Sequence, residues 1–290
     1  MIKYNPKFWF RHIFAFHKSD TFIVIWKELV YIAVFTLLLA FILQYYVSEA
    51  HLNTLSKLKD VFSLVGFVLS LLLVFRTNTA YDRWWEGRKK WGELVNNSRN
   101  LAIKVSSMNT SKENDLFFSR MIPNYAFAMK EHLRDGVLLK ELELNETELK
   151  KISNINHKTS FLAKQLYLKL HEMKKNGEIT QEEFLSLDIN LKTFSDITGS
   201  CERIKNTPIP YSYSSFLKKF IFVFVGTLPL SFVPIFGYHS VFVSVFVFYV
   251  LVSMEILAEE IEDPFGKDEN DLPTDDLCHK IKENVKEILC

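Results

Sequence analysis

Three cysteines, nine glycines and eight prolines are all that 290 residues contain of the residue types that staple or break a chain. Cys201, Cys278 and Cys290 lie far apart and form no CxxC pair, so neither a disulfide framework nor a cysteine zinc site is expected. Glycine and proline together reach about half their usual share of ~12%, which favours long helices over a turn-rich β fold. Surplus charge is missing too. With 35 Lys+Arg against 34 Asp+Glu the net charge is +1, which excludes a nucleic-acid binder built on excess positive charge. The eight histidines make no HExxH or similar pattern, and Walker loops, Rossmann glycine loops and nucleophile elbows are absent. No enzyme is expected. No secretory signal is expected either, because the first long apolar run begins only near Leu29 and no small-residue cleavage pattern follows it.

What is present in quantity is aromatic and aliphatic surface. With 26 Phe, 11 Tyr and 5 Trp the chain carries too much of it to stay disordered. A mean hydropathy of +0.05 alongside 24% charged residues describes a mixture of two unlike parts. From Leu29 to Val47 nineteen residues carry no charge, enough for ~28 Å of helix against a ~30 Å hydrocarbon core. Trp26 on one side and Tyr45 and Tyr46 on the other suit interfacial belts. Val61 to Phe75 is a second run of fifteen residues, ~22 Å as a helix, short for a span that faces lipid. Phe220 to Phe236 carries Gly226, Pro229 and Pro234; Val241 to Leu257 has Glu255 as its one charge; Gly237 to Ser240 reads as a tight hairpin between them.

Charge sets the orientation. Lys3, Lys7, Arg11, Lys18 and Lys27 precede the first run, and Arg76, Arg83, Arg88, Lys89 and Lys90 follow the second, whereas Lys57 and Lys59 alone lie between. The positive-inside tendency makes both termini cytoplasmic. The expected organisation is a cytoplasmic segment 1–28, membrane helices within 29–75, a helical cytoplasmic domain 76–215, membrane helices within 216–257 and an acidic cytoplasmic segment 258–290. Within the polar block, Leu116 to Leu133 and Phe161 to Met173 have helical spacing, an acidic stretch from Glu141 to Glu148 separates them, and Lys174-Lys175-Asn176-Gly177 reads as a helix stop.

Three regions invite a chemical reading. Along Val61 to Phe75, Ser63, Gly66 and Ser70 form a small-residue stripe that lets backbones approach, while Phe67, Leu71 and Phe75 share another face at i, i+4, i+8. Ordinary core packing explains both; copies of the helix around an axis would instead turn the second face into apolar rings that gate a pore by dewetting. Downstream, Tyr81, Trp84, Trp85 and Arg83 fit a helix leaving the bilayer with Trp and Arg at headgroup level, and Asp82 and Glu86 are placed to pair with Arg83 or Lys90. The carboxylates between Glu259 and Pro273 invite a hard cation, yet they lack the EF-hand glycine and closing glutamate. A solvated acidic face is the competing reading.

Three segments, NTAYDRWWEGRKKWGELVNNSRNLA after the second run, CERIKNTPIPYSY before the third and EDPFGKDENDLP after the fourth, together resemble the signature regions of the bestrophin family, in its prokaryotic branch. The resemblance covers nearly the whole chain. It implies an all-α membrane protein with four transmembrane helices per protomer and a helical cytoplasmic domain, assembled as a homopentamer around one axial pore. It also implies passive conduction of small ions, chloride by family analogy, across a bacterial inner membrane. The family's hydrophobic neck falls on Phe67, Leu71 and Phe75, and its cytoplasmic aperture on Ile209 or, second, Ile204. Asp268 and Asp271 match two positions of the calcium clasp of animal members; Lys267 replaces an acidic residue, so calcium and other metals are not expected to be cofactors. The expected partners are further copies of the chain, membrane lipid and the permeant ion, with no nucleic acid. A monovalent-cation channel of the same fold and a membrane-anchored scaffold are the alternatives.

Overall fold

A computed structural model describes residues 21–108 and 111–290. The first twenty residues, with Lys3, Lys7, Arg11 and Lys18 of the expected N-terminal segment, lie outside the described residues. Helix accounts for nearly all regular structure, and no strand occurs among the described residues, as the scarcity of Gly and Pro implies. The elements are α1 (Thr21–Tyr46), α2 (Glu49–Ser56), α3 (Lys59–Ser107), α4 (Lys112–His132), α5 (Glu146–Ser153), α6 (Lys158–Lys175), α7 (Gln181–Asn206), α8 (Tyr211–Phe236), α9 (Ser240–Glu262) and α10 (Thr274–Leu289).

Local sequence explains where these helices start and stop. Asn145 and Glu148 close a capping box on α5, and Thr180 and Glu183 close another on α7, each satisfying two backbone donors that would otherwise lack partners. Helix α6 ends at Lys175, and Gly177 turns the chain with φ +72°, the stop read from Lys174 to Gly177. Between α8 and α9 a single 3-10 turn spans Gly237–His239, with Gly237 at φ +55°. A Cβ there would lie 2.6 Å from Nε2 at the flexible end of Gln44 in α1, a contact that side chain can relieve, so the positive φ rather than the space is what calls for glycine at this turn.

Three stretches are helical, long and apolar enough to cross a membrane by length and composition: Thr21–Tyr46, Glu49–Ser107 and Gln181–Glu262, the last containing both α8 and α9. Leu69 and Leu73 of α3 pack with Leu217, Ile221, Phe224, Val225 and Leu228 of α8 and Leu251 of α9. Gly66 admits the Phe224 ring, whose Cζ would lie 3.2 Å from an added Cβ. The short α2 and the Gly237 turn both lie at the end of this apolar bundle remote from the polar domain.

One expected boundary is not a break in the chain. Helix α3 is 49 residues long, about 74 Å at 1.5 Å per residue, and runs straight through Phe75-Arg76. The second apolar run is thus the first third of a long helix. Its remaining two thirds build the polar domain: Trp91, Leu94, Leu101, Ala102 and Val105 join one core with Phe118, Met121, Ile122 and Tyr125 of α4, Leu162 and Leu166 of α6 and Phe194 and Ile197 of α7. The segment expected to be an acidic tail also contributes. Cys278, Ile281, Val285 and Leu289 of α10 are buried in that core. Lys130 of α4, only 3% exposed, holds α10 in place through Asp275 at 2.7 Å, together with Glu141 at 2.8 Å and Glu131 at 3.0 Å. Burial alone would lower the Lys130 pKa; its carboxylate partners outweigh it and raise the pKa.

Candidate functional site

Helix α3 presents two opposite faces in its apolar third. Leu69 and Leu73 are buried, whereas Phe67, Leu71 and Phe75 are 68%, 45% and 55% exposed. The three side chains expected at the neck therefore point away from the protomer's own bundle. The same outward face continues into the polar domain as Asn78, Asp82, Trp85, Lys89, Glu93, Asn96 and Asn100, all exposed. From Phe67 to Asn100 the steps are of three or four residues, so about nine turns of one helix carry a single stripe. It is apolar at bundle depth and, apart from Trp85, polar beyond.

Beneath the apolar stripe, on the inner side of α3, charge is buried. Arg76 is 1% exposed; its Nη2 lies 2.7 Å from Oε2 of Glu262, and its Nε 3.6 Å from Glu255. Two turns on, Arg83 donates to the carbonyls of Ile204, Thr207 and Glu262. Glu262 accepts a further hydrogen bond, 2.6 Å long, from the Ile209 backbone N–H. The Thr207-Pro208-Ile209-Pro210 link between α7 and α8 is thus fastened to α3 and to the end of α9. Asp82 and Glu86 were expected to pair with Arg83 or Lys90; Arg83 clamps backbone instead, and Glu86 pairs with Arg203 at 2.7 Å. The signal for the buried Arg76 was the lone Glu255 in an apolar run, since a charge there calls for a buried partner.

Ile209 is half-buried on that link. Ile204, the other residue considered for a cytoplasmic aperture, is 3% exposed, turned inward by its position on α7 into the polar core.

Asp268 and Asp271 come together in a loop around a cavity of about 210 Å³ that Arg134, Lys267 and Asp275 also line. Asp271 is 2% exposed; one oxygen accepts from the Asp268 N–H at 2.6 Å and the other has no partner. Burial pushes its carboxyl up to about 6. Calcium needs six to eight oxygens. Arg134 already occupies the Phe265 and Gly266 carbonyls at 3.2 Å, and Lys267 brings a second cation to the wall, so these residues do not fit a resident calcium. Phe265 itself is buried against α3, where Gly87 leaves room for it: an added Cβ would meet its ring at 3.1 Å. Trp84 donates to the Asn270 carbonyl at 3.1 Å, while Tyr81 and Trp85 stack outside it with planes 9° apart.

The profile of the bacterial/fungal bestrophin family matches residues 1–287. The chain belongs to this family. Among curated proteins it is 37% identical over 230 residues, 77% of this chain and 75% of the other, to a voltage-dependent anion channel-forming protein of Nostoc sp.. With the protein of that description from Escherichia coli K12 it shares 31% identity over 284 residues, 97% of this chain and 92% of the other. The crystal structure of a bacterial bestrophin homologue from Klebsiella pneumoniae superposes with a TM-score of 0.83 at 25% identity, covering 91% of this chain and 98% of that one. For a bestrophin, the long α3 with its outward stripe is the element on which a functional reading turns. The two curated relatives are anion channel-forming proteins by name.

Proposed function

We propose that this bestrophin is an anion channel, a homopentamer in which α1, the first third of α3, α8 and α9 cross the membrane and five copies of α3 surround one axis. The observation that carries this reading is the outward stripe of α3. In a ring, Phe67, Leu71 and Phe75 stack as three apolar constrictions that hold back water and ions. Below them the polar continuation through Asn78, Lys89, Asn96 and Asn100 faces the cytoplasmic vestibule, and the link anchored by Arg83 and Glu262 carries Ile209 towards its exit. Both ends of the chain sit on the cytoplasmic side of a bacterial inner membrane. Conduction needs no calcium, because the Asp268–Asp271 loop is held by its own protein contacts.

Protein reconstituted in liposomes is expected to pass chloride, and Phe67, Leu71 and Phe75 changed together to alanine should raise the flux by roughly tenfold, equivalent to about 1.4 kcal/mol off the barrier. Vesicles that stay tight with both proteins would overturn the channel. Under a KCl gradient the reversal potential should move towards that of chloride; movement towards that of potassium would replace the anion reading with the cation one.

A further inference from the structure

We propose that His132, His157 and Glu202 form a binding site for a divalent transition metal of the zinc class in the polar domain, joining three helices. His132 is the last residue of α4, His157 is the N-cap of α6, and Glu202 lies near the end of α7. Nε2 of His132 is 2.6 Å, and Nε2 of His157 2.9 Å, from the same Oε1 of Glu202. The imidazole centroids are 4.7 Å apart, and all three ligand atoms lie within 4.8 Å of one another. A tetrahedral zinc with bonds of ~2.0–2.1 Å sets its ligand atoms about 3.3 Å apart. Each of the two hydrogen-bonded contacts therefore has to open by less than about 1 Å to admit the ion. Two imidazoles and a carboxylate are donors that zinc, copper and nickel accept. The side chains are 25%, 45% and 29% exposed, so an ion can enter from solution and water can complete its shell.

The hydrogen bonds of His157 define the ion-free state and the change that binding brings. Its Nδ1 accepts from the Ser160 N–H at 3.3 Å, so the proton of the neutral ring sits on Nε2 and points at Glu202. When the ion takes the Nε2 lone pair, that proton leaves to solvent or moves to Nδ1, where the hydroxyls of Ser160 at 2.8 Å and Thr159 at 2.9 Å can accept it. These hydroxyls then act as the outer partners that orient a ligating imidazole. Next to the site, Lys205 bonds the carbonyls of Leu133 and Arg134 at the end of α4, so its ammonium is already engaged there. An ion in this position fixes the last turns of α7, whose end bears the Ile204 and Thr207 carbonyls held by Arg83.

The test uses the full chain in mild detergent, free of any tag, stripped with a chelator and titrated with Co²⁺. The expected result is one cobalt per chain, showing the d–d bands of a nitrogen and oxygen shell without a thiolate charge-transfer band, and displaced by Zn²⁺ with a rise in melting temperature. His132→Gln, Glu202→Gln and His157→Asn should each weaken binding by roughly tenfold or more. Asparagine is a good N-cap, so the ion-free His157→Asn protein should melt with the wild type. Absence of stoichiometric cobalt on the wild type, a thiolate band, or binding unaltered in the three variants would overturn the site. Ion flux is not part of this readout, so its outcome is separate from that of the channel.

Discussion

At the scale of single residues, Asp271 shows how burial becomes a pH dependence. Its carboxyl is pushed from 3.8 up to about 6 by burial, so between those values the folded protein holds a proton that the unfolded chain has lost. Stability contributed by that proton is fully present below about 4 and is lost as pH rises through about 6. In chelator, Asp271→Asn should therefore raise the melting temperature by a few degrees at pH 7.5, with the gain vanishing near pH 4; a gain independent of pH would contradict the buried-carboxyl account. Individual positions were unevenly legible in the sequence. Phe67, Leu71 and Phe75 could be selected because a period of four on one helix marks one face. Ile204 and Ile209 could not be separated, because only the turn of α7 decides which of them is inside. His132, His157 and Glu202 are 25, 45 and 70 residues apart pairwise, separations at which no periodicity speaks, and only the packing of α4, α6 and α7 brings them together.

Among elements, α3 is where sequence and structure differ most instructively. Hydropathy changes sharply at Arg76, and a change of solvent reads as a domain boundary, yet nothing at Phe75-Arg76 stops a helix: there is no glycine or proline, and the capping-type Thr77 and Thr79 turn their hydroxyls back onto the carbonyls of Leu73 and Phe75 within the helix. Helix α10 was hidden for the opposite reason. The acidic residues before and within it mask Cys278, Ile281, Val285 and Leu289, whose spacing of three or four gives a buried face. The α8–α9 hairpin and the end of α6 were readable because glycine marks both. Glu262 joins three elements at once, receiving Arg76 of α3 and the Ile209 N–H at the end of α9. Removing one partner of a buried pair leaves the other charge without compensation. Glu262→Ala should thus cost about 3 kcal/mol of stability, read from thermal or denaturant unfolding in detergent; a cost within the scatter of surface substitutions would mean that Arg76 is satisfied by Glu255 alone.

For the whole molecule, the protomer leaves a large apolar surface without a partner in its own chain. Tyr31, Leu38 and Phe41 on α1 and Phe222 and Phe242 on α8 and α9 are exposed and suit lipid. The α3 stripe differs from them by turning mostly polar along its length, Trp85 being the exception, which is what a water-filled axis requires and lipid does not. Light scattering of the purified protein in mild detergent should give the mass of five chains; a monodisperse monomer would remove the axis, since one stripe encloses nothing. The continuity of α3 then acquires a mechanical meaning. A rod with no joint at the membrane surface behaves as a crankshaft: torque applied to its far end near Asn100 arrives at Phe67 without a hinge to absorb it. In a pentamer of such rods, a few degrees of rotation in the cytoplasmic domain would swing all three aromatic and aliphatic rings together, and the neck would widen or close as one unit.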